Sequence, residues 1–462
     1  MTDPTVPIAL DTVDLARIQF AMTSIYHFLF VPLTLGLAPL VAVMQTLWHR
    51  TRNEQWLRLT RFFGTLLVIN FAIGVATGLV QEFQFGMNWS VYSKFVGDVF
   101  GAPLAVEGLA AFALEATFLG LWIFGWDRLS PRLHLATIWI VALGTWLSAY
   151  FILVANSWMQ NPVGYRIADG KAELTDVWAL LSHEFALHAF LHTILAGLST
   201  AAILILGVAC WHFLRRRNVE LFRRAAVLAL IVAVPVTAIN LAVGSRFGIV
   251  ATDLQPMKIS GAEALWDSEK PAAFSLFQIG GFTKENPDPS FDIQVPDLLS
   301  FLATGSFKDG VEGLNQIQAQ YEQRYGPGNY IPPVRPLYWG MRVMAYLGTL
   351  MFLVAALGAF LYRRGKLETA RWFHRVAILT IAFPFFAMTA GWVLTEMGRQ
   401  PWIVQGLLKT ASANSPSVSS SAIWVSISVF ALLYIALGIV DFVLMRRYAR
   451  VDPPEVPVGA ST

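Results

Sequence analysis

Residues 215–243 read RRRNVELFRRAAVLALIVAVPVTAINLAV: five arginines within ten residues, then nineteen residues, Ala225–Val243, that carry no charge. A helix rises about 1.5 Å per residue, so this run alone nearly crosses the roughly 30 Å of hydrocarbon in a bilayer. An apolar run with a basic flank reads as a transmembrane helix whose arginines stay on the cytoplasmic side. Eight further runs of this kind lie near Leu15–Leu47, Phe62–Val80, Pro103–Trp126, Leu133–Val154, Ala179–Leu214, Leu337–Leu361, Val376–Thr395 and Ala422–Met445, nine in all. The first and the fifth are longer than a bilayer needs and are expected to tilt or protrude.

Composition agrees. Of 462 residues 56% are hydrophobic and only 14% charged, against about 25% charged in a soluble domain. Such a chain cannot clothe a water-facing surface, and 13% aromatic residues exclude disorder. A fibrous rod would need a repeat that is missing. The single cysteine, Cys210, rules out a disulfide framework, a cysteine zinc site, an iron–sulfur cluster and a C-x-x-C-H haem attachment. Gly-rich nucleotide loops are absent. The net charge of +3 points to no nucleic acid, because the Lys and Arg fall in short loops; the surroundings implied are membrane lipid.

Those loops alternate in charge. Arg50, Arg52, Arg58 and Arg61 follow the first run, and Arg215, Arg216, Arg217, Arg223 and Arg224 the fifth. Arg363, Arg364, Lys366, Arg371 and Arg375 follow the seventh, and Arg446, Arg447 and Arg450 the ninth. The expected fold is therefore an all-α integral membrane protein of nine transmembrane helices, N-terminus outside and C-terminus inside. The first sixteen residues hold Asp3, Asp11 and Asp14 but no Lys or Arg, the reverse of a cleavable signal. Asp11 or Thr12 reads as a helix N-cap. The chain divides into spans one to six (1–243), a long outer loop (244–336), spans seven to nine (337–447) and a Pro-rich tail expected to be disordered (448–462). Loops as long as 244–336 are usually functional or disordered. Apolar stretches such as Ala272-Ala273-Phe274-Ser275-Leu276-Phe277 predict that this one is partly folded over the bundle.

An ionisable side chain within a span costs about 2.5–3.5 kcal/mol on insertion scales and needs a reason. His27 lies in span one, Glu107 and Glu115 in span three, His183, His188 and His192 in span five. Arg342 and Met344 open span seven, and Glu396 with Arg399 closes span eight. The topology sets His27, His192, Met344 and Glu396 in the outer half, four iron-ligating groups from four helices at one depth. That arrangement suggests haem bound between helices. The plainer reading stands beside it: a lone intramembrane His is as readily a hydrogen-bonded packing group, and Met344 by itself is a core filler. His183 and His188 read as interfacial, as do His49, His134, His212 and His374 near the inner span ends. Glu107 and Glu115 are eight residues apart, about 12 Å along a helix and within about 80° of one face. They form either a proton path or a packed, protonated pair.

The segment Gly391-Trp392-Val393-Leu394-Thr395-Glu396-Met397-Gly398-Arg399-Gln400-Pro401-Trp402 resembles the signature of subunit I of the cytochrome bd quinol oxidases. So do Arg17 to Gly36, Gly74 to Trp89, Gly101 to Arg128 and Asn156 to Pro162. The resemblance covers nearly the whole chain. It implies a terminal oxidase of a bacterial cell membrane that oxidises quinol, reduces oxygen to water and builds a proton gradient without pumping. It implies His192 and Met344 as ligands of a low-spin haem b, and His27 and Glu396 as ligands of two high-spin haems, one b and one d, in an order that differs among members. Arg342, Trp392 and Arg399 match positions around the haems, where the arginines could pair with propionates. Glu107 and Glu115 match proton-path carboxylates, with Ser148 and Asn156 as polar neighbours. Lys258 and Glu263 match the quinol site, as charge stabiliser and general base; by themselves they would read as solvated loop charges. A second hydrophobic subunit is implied, with a small single-span one in some complexes. The outer loop is of the short class, and some relatives carry haem b in place of haem d on ligands that look alike. Two rivals remain: a haem-free proton-coupled transporter, for which inverted repeats are missing, and a b-haem quinol dehydrogenase, which would not need His27 and Glu396.

Overall fold

The computed structural model describes residues 10–454. Among them nine helical segments are long and apolar enough to cross a membrane: Thr12–Thr51, Glu54–Met87, Ser90–Phe124, Pro131–Gln160, Val177–Arg215, Val219–Leu254, Val334–Arg363, Arg371–Met397 and Ser420–Tyr448. These are spans one to nine. Eight contain the apolar run predicted for them and overrun it, because a helix started in hydrocarbon keeps its backbone bonds as it emerges; the third starts earlier, at Ser90, and stops at Phe124, two residues short of its run. Starts are capped where the sequence offers an oxygen. Asp11 accepts from the Asp14 N–H at 2.8 Å, Asn53 from Gln55 at 2.9 Å, and Ser130 precedes a helix opened by Pro131.

Four spans are interrupted. Span one is two helices, Thr12–His27 and Val31–Thr51, the second with Pro32 in its first turn. This break accounts for the length of the first apolar run and leaves His27 at a helix end. Span three passes through a π-helical turn, Glu107–Phe112, between Ser90–Val106 and Ala113–Phe124. Span five is jointed at His183, and span eight restarts at Phe383, with Pro384 in its first turn, after Arg371–Thr380. Irregular turns of this kind collect at functional positions.

The main apolar core fills the half of the bundle next to the arginine-rich loops, with Leu37, Val41, Phe63, Leu66, Ile205 and Phe222 all fully buried. Backbones approach closely there: a Cβ added to Gly36 would come within 2.1 Å of the Gly197 carbonyl oxygen, the small-residue contact typical of membrane helices. A ring of hydrogen bonds ties spans one, three and four. Trp122 Nε1 donates to Gln45 Oε1 at 2.7 Å, Gln45 Nε2 donates to His134 Nδ1 at 2.8 Å, and His134 Nε2 donates to the Trp122 carbonyl at 2.8 Å. His134, His212 and His374, expected at the interface, are instead 2%, 0% and 1% exposed. Each reaches a backbone carbonyl (His212 that of Ala449, His374 that of Leu367), which is why burial is tolerated.

The opposite end carries a folded cap. Span six continues eleven residues past the predicted boundary, to Leu254, because neither Gly244 nor Gly248 ends a helix that still has contacts to make. The loop that follows is folded throughout. It holds helices Pro256–Glu263, Leu298–Thr304 and Leu314–Tyr325 and an antiparallel hairpin of Phe274–Gly280 with Pro289–Val295. Two small cores hold it together, one around Trp266, Leu314, Tyr330 and Trp402, the other around Leu265, Ala272, Phe274 and Leu299. The apolar stretch at 272–277 supplies the edge of the second. Hairpins Tyr165–Ala168/Lys171–Leu174 and Trp402–Val404/Leu408–Lys409 complete the cap. At the arginine-rich end the start of the tail docks rather than hangs free: Asn218 donates to Asp452 at 2.7 Å and Arg58 to the Pro453 carbonyl at 3.1 Å. The rest of the expected disordered tail, and Asp3, lie outside the described residues.

Candidate functional site

Span four organises the chemistry. At Gly144 an added Cβ would sit 3.2 Å from Glu115 Cβ, and one turn on, the Ser148 hydroxyl donates to Glu107 Oε1 at 2.7 Å. Both carboxylates therefore face span four. The π turn between them advances fewer degrees per residue than an α turn, bringing Glu107 and Glu115 nearer to one line than an ideal helix would. Glu115 is buried. Two turns beyond Ser148, Asn156 Nδ2 donates to Glu396 Oε1 at 2.9 Å. Ser148 thus partners a proton-path candidate as expected, whereas Asn156 turns to Glu396.

One further turn along the same stripe stands Gln160, fully buried and unremarked in the sequence. Its Oε1 accepts from Lys258 Nζ at 2.5 Å, its Nε2 reaches Asn156 Oδ1 at 3.5 Å, and its backbone carbonyl accepts from Gln255 Nε2. Glu396 Oε2 in turn accepts from Arg399. A continuous polar chain therefore runs Lys258–Gln160–Asn156–Glu396–Arg399. Lys258 is 4% exposed, and burial pushes its ammonium down to about 7, against the pull of Glu396 and with the help of Arg399. The spacing of Gly144, Ser148, Asn156 and Gln160, all multiples of four, was the available sequence signal, but neutral amides draw no notice.

Glu263 and Arg342 form a buried pair at 2.6 Å. The Arg342 guanidinium also donates to the Ser275 carbonyl at 2.6 Å and the Ala262 carbonyl at 2.5 Å, and lies 3.6 Å over the Tyr338 ring. Its donors are taken up by the cap, so in this structure it clamps the loop to span seven rather than facing a propionate. Burial raises the Glu263 carboxyl above the ordinary carboxylate range while Arg342 opposes that rise; Glu263 Oε1 has no hydrogen-bond partner.

Span eight is a hub. A Cβ on Gly391 would lie 2.8 Å from Met344 Sδ. The Trp392 ring meets Phe28, next to His27, at 4.8 Å between centroids. Glu396 is one turn further and Arg399 one turn beyond that. His27 Nδ1 lies 3.0 Å from Thr77 Oγ1, and Gly78 faces its ring. His192 borders Gly244 on span six, where an added Cβ would stand 3.2 Å from its Cε1. Asn240 stands against the His192 ring, and Arg399 Nε and Nη1 are buried without partners. His183 bonds Asn161 at 3.1 Å and His188 its own helix at 2.9 Å, so both are structural. Three candidate ligands each border a glycine, and unpaired guanidinium donors stand beside the fourth. Those are the features a haem with its propionates requires, and the residues fit that group.

The family model for cytochrome bd terminal oxidase subunit I matches residues 15–453. The chain belongs to that family. Cytochrome bd ubiquinol oxidase subunit 1 of Bacillus subtilis is 46% identical over 94% of this chain and 92% of its own length. Cytochrome bd-II ubiquinol oxidase subunit 1 of Escherichia coli is 36% identical over 96% and 97%. Among solved structures, the bd oxidase of Geobacillus thermodenitrificans superposes with a TM-score of 0.86 at 28% identity, covering 96% of this chain and 99% of that one. As a member of the cytochrome bd family the chain is a catalytic subunit of a haem-containing terminal oxidase, a multi-pass protein of the bacterial cytoplasmic membrane. The transporter reading falls with this.

Proposed function

We propose that this chain oxidises a membrane quinol beneath its cap and delivers the electrons to oxygen, which becomes water, with the cap end outside and the arginine-rich end inside. The observation that carries the reading is the span-eight hub, where Met344, the His27 segment, Asn156 and Arg399 all converge on Gly391–Arg399. His192 and Met344 would hold a low-spin haem b. His27 and Glu396 would hold the high-spin haem b and the haem d, or its haem b substitute, with Trp392 packed beside them and Arg399 directing its free donors to propionate. The haems supply electron storage and the oxygen-binding iron.

The protein's own groups handle protons and charge. Glu263, held by Arg342 and with one oxygen free, accepts a quinol hydroxyl proton. Lys258 places a switchable positive charge opposite the anion that develops. Glu115 and Glu107, aligned along span four, hand protons from the arginine-rich side towards the outer half, the Ser148 hydroxyl fixing the second. Protons thus leave on one side and are taken up from the other, without a pump. The subunit numbering of the relatives supports a second subunit, read here as hydrophobic; a small single-span subunit in some complexes belongs to the same proposal.

A reduced-minus-oxidised visible spectrum of the purified complex, with pyridine extraction of its haems, tests the assignment. Two b haems and one d are expected. Three b haems place the chain in the branch lacking haem d, and a folded preparation without haem overturns the reading.

A further inference from the structure

We infer that Thr77 is a positioning residue that fixes the ring orientation and tautomer of His27, leaving Nε2 as the ligating nitrogen. The inference rests on the reading of His27 as a haem ligand. Thr77 is fully buried in span two, and its Oγ1 lies 3.0 Å from His27 Nδ1. A threonine hydroxyl has one hydrogen. Here two helix carbonyls compete for it, that of Gly74 at 2.9 Å and that of Ile73 at 3.1 Å, the back-bonding habit of threonine in helices. With the hydrogen committed there, Oγ1 offers a lone pair to the imidazole, so Nδ1 carries the ring proton.

The remaining lone pair is then on Nε2, the nitrogen free to bind a metal. The opposite tautomer would need the hydroxyl to leave both carbonyls, and it would block Nε2 with a proton. The next residue clears the space: a Cβ at Gly78 would come within 3.1 Å of His27 Cε1 and 3.6 Å of Nε2. Thr77 and Gly78 therefore act on the same ring, one gripping an edge and the other making room beside it. The grip matters because His27 ends its helix, and the chain turns through Phe28–Phe30 before restarting at Val31. A side chain at a helix end lacks the support of a following turn.

Outer-shell partners of this kind are worth about ten- to a hundredfold in metal affinity. The test uses the complete oxidase complex and reads haem content per complex, the midpoint potentials and the high-spin electron paramagnetic resonance signals. Thr77→Val keeps the volume and removes the acceptor. It is expected to lower occupancy of one high-spin haem about tenfold under haem-limited growth or to shift its potential and signal, with the low-spin haem unchanged; Thr77→Ser restores the wild-type values. Should Thr77→Val not assemble, Thr77→Ala removes the same oxygen without strain and gives the same readout. Wild-type haem content, potentials and signals in the variant lacking the hydroxyl overturn the inference. His27→Ala separates the two ideas: it should lose one high-spin haem, and full retention would remove His27 from the ligand set instead.

Discussion

The two halves of the bundle set their buried histidines in different surroundings. Towards the arginine-rich loops, His134, Gln45 and Trp122 close a ring in which every polar atom has a protein partner, and apolar side chains fill the rest. Towards the cap, glycines stand where side chains would crowd His27, His192 and Met344, and Arg399 and Glu263 keep buried atoms with no partner. A histidine in the first half is a rivet. One in the second half is a socket. Burial alone does not separate them, and neither does an unpartnered nitrogen, since His212 and His374 also keep a buried Nδ1 without a partner; the glycine beside the ring does.

The strongest way to break this contrast is at Met344. Met344→Leu keeps volume but removes the sulfur, and should abolish the normal low-spin haem spectrum; an unaltered spectrum would return Met344 to the role of core filler. Next in size is Glu263→Gln. Quinol oxidation should fall about a hundredfold, the scale of a lost general base, while haem content stays; loss of all haems would make the Glu263–Arg342 pair a structural clamp only. A rivet should behave differently from both. His134→Ala leaves Gln45 and the Trp122 carbonyl unsatisfied and should cost about 1–3 kcal/mol, seen as a lower thermal midpoint with an unchanged haem spectrum. The smallest effect is a pH profile. Burial pushes the Lys258 ammonium down to about 7 from about 10, so the charge proposed to assist quinol oxidation is present below pH 7 and fades above it. kcat/KM should therefore fall as pH rises through about 7, and Lys258→Arg, which stays charged, should flatten that step.

The spans were legible because hydropathy and arginine placement are properties of composition over twenty residues. Breaks inside spans were not: the turn after His27 and the π turn at Glu107 depend on packing between helices and leave no mark in residue type. Charged and ligating candidates stood out against an apolar background, so His27, His192, Glu107, Glu115 and Glu396 were visible. Gln160 and Thr77 were not, being neutral and common. The cap was under-read because its two cores are assembled from short stretches that are remote in sequence, such as Trp266 with Trp402. Arg342 was expected beside the haems, facing a propionate, but its donors go to the carbonyls of Ala262 and Ser275, a pairing only the folded cap creates.

Span four gives the molecule an electrical length. The contacts of Gly144 with Glu115 and of Gln160 with Lys258 are made by one unbroken helix, and sixteen residues of helix rise about 24 Å. The apolar run of this helix stops at Val154, so about 15 Å of it, half of the roughly 30 Å of hydrocarbon, lies between the proposed proton-uptake carboxylate and the proposed quinol side. Each charge carried between those ends works against the membrane voltage, at about 2.3 kcal/mol per 100 mV for a full crossing. The helix that aligns the chemistry is therefore also the dielectric gap across which turnover charges the membrane, and rising voltage should slow the enzyme from within.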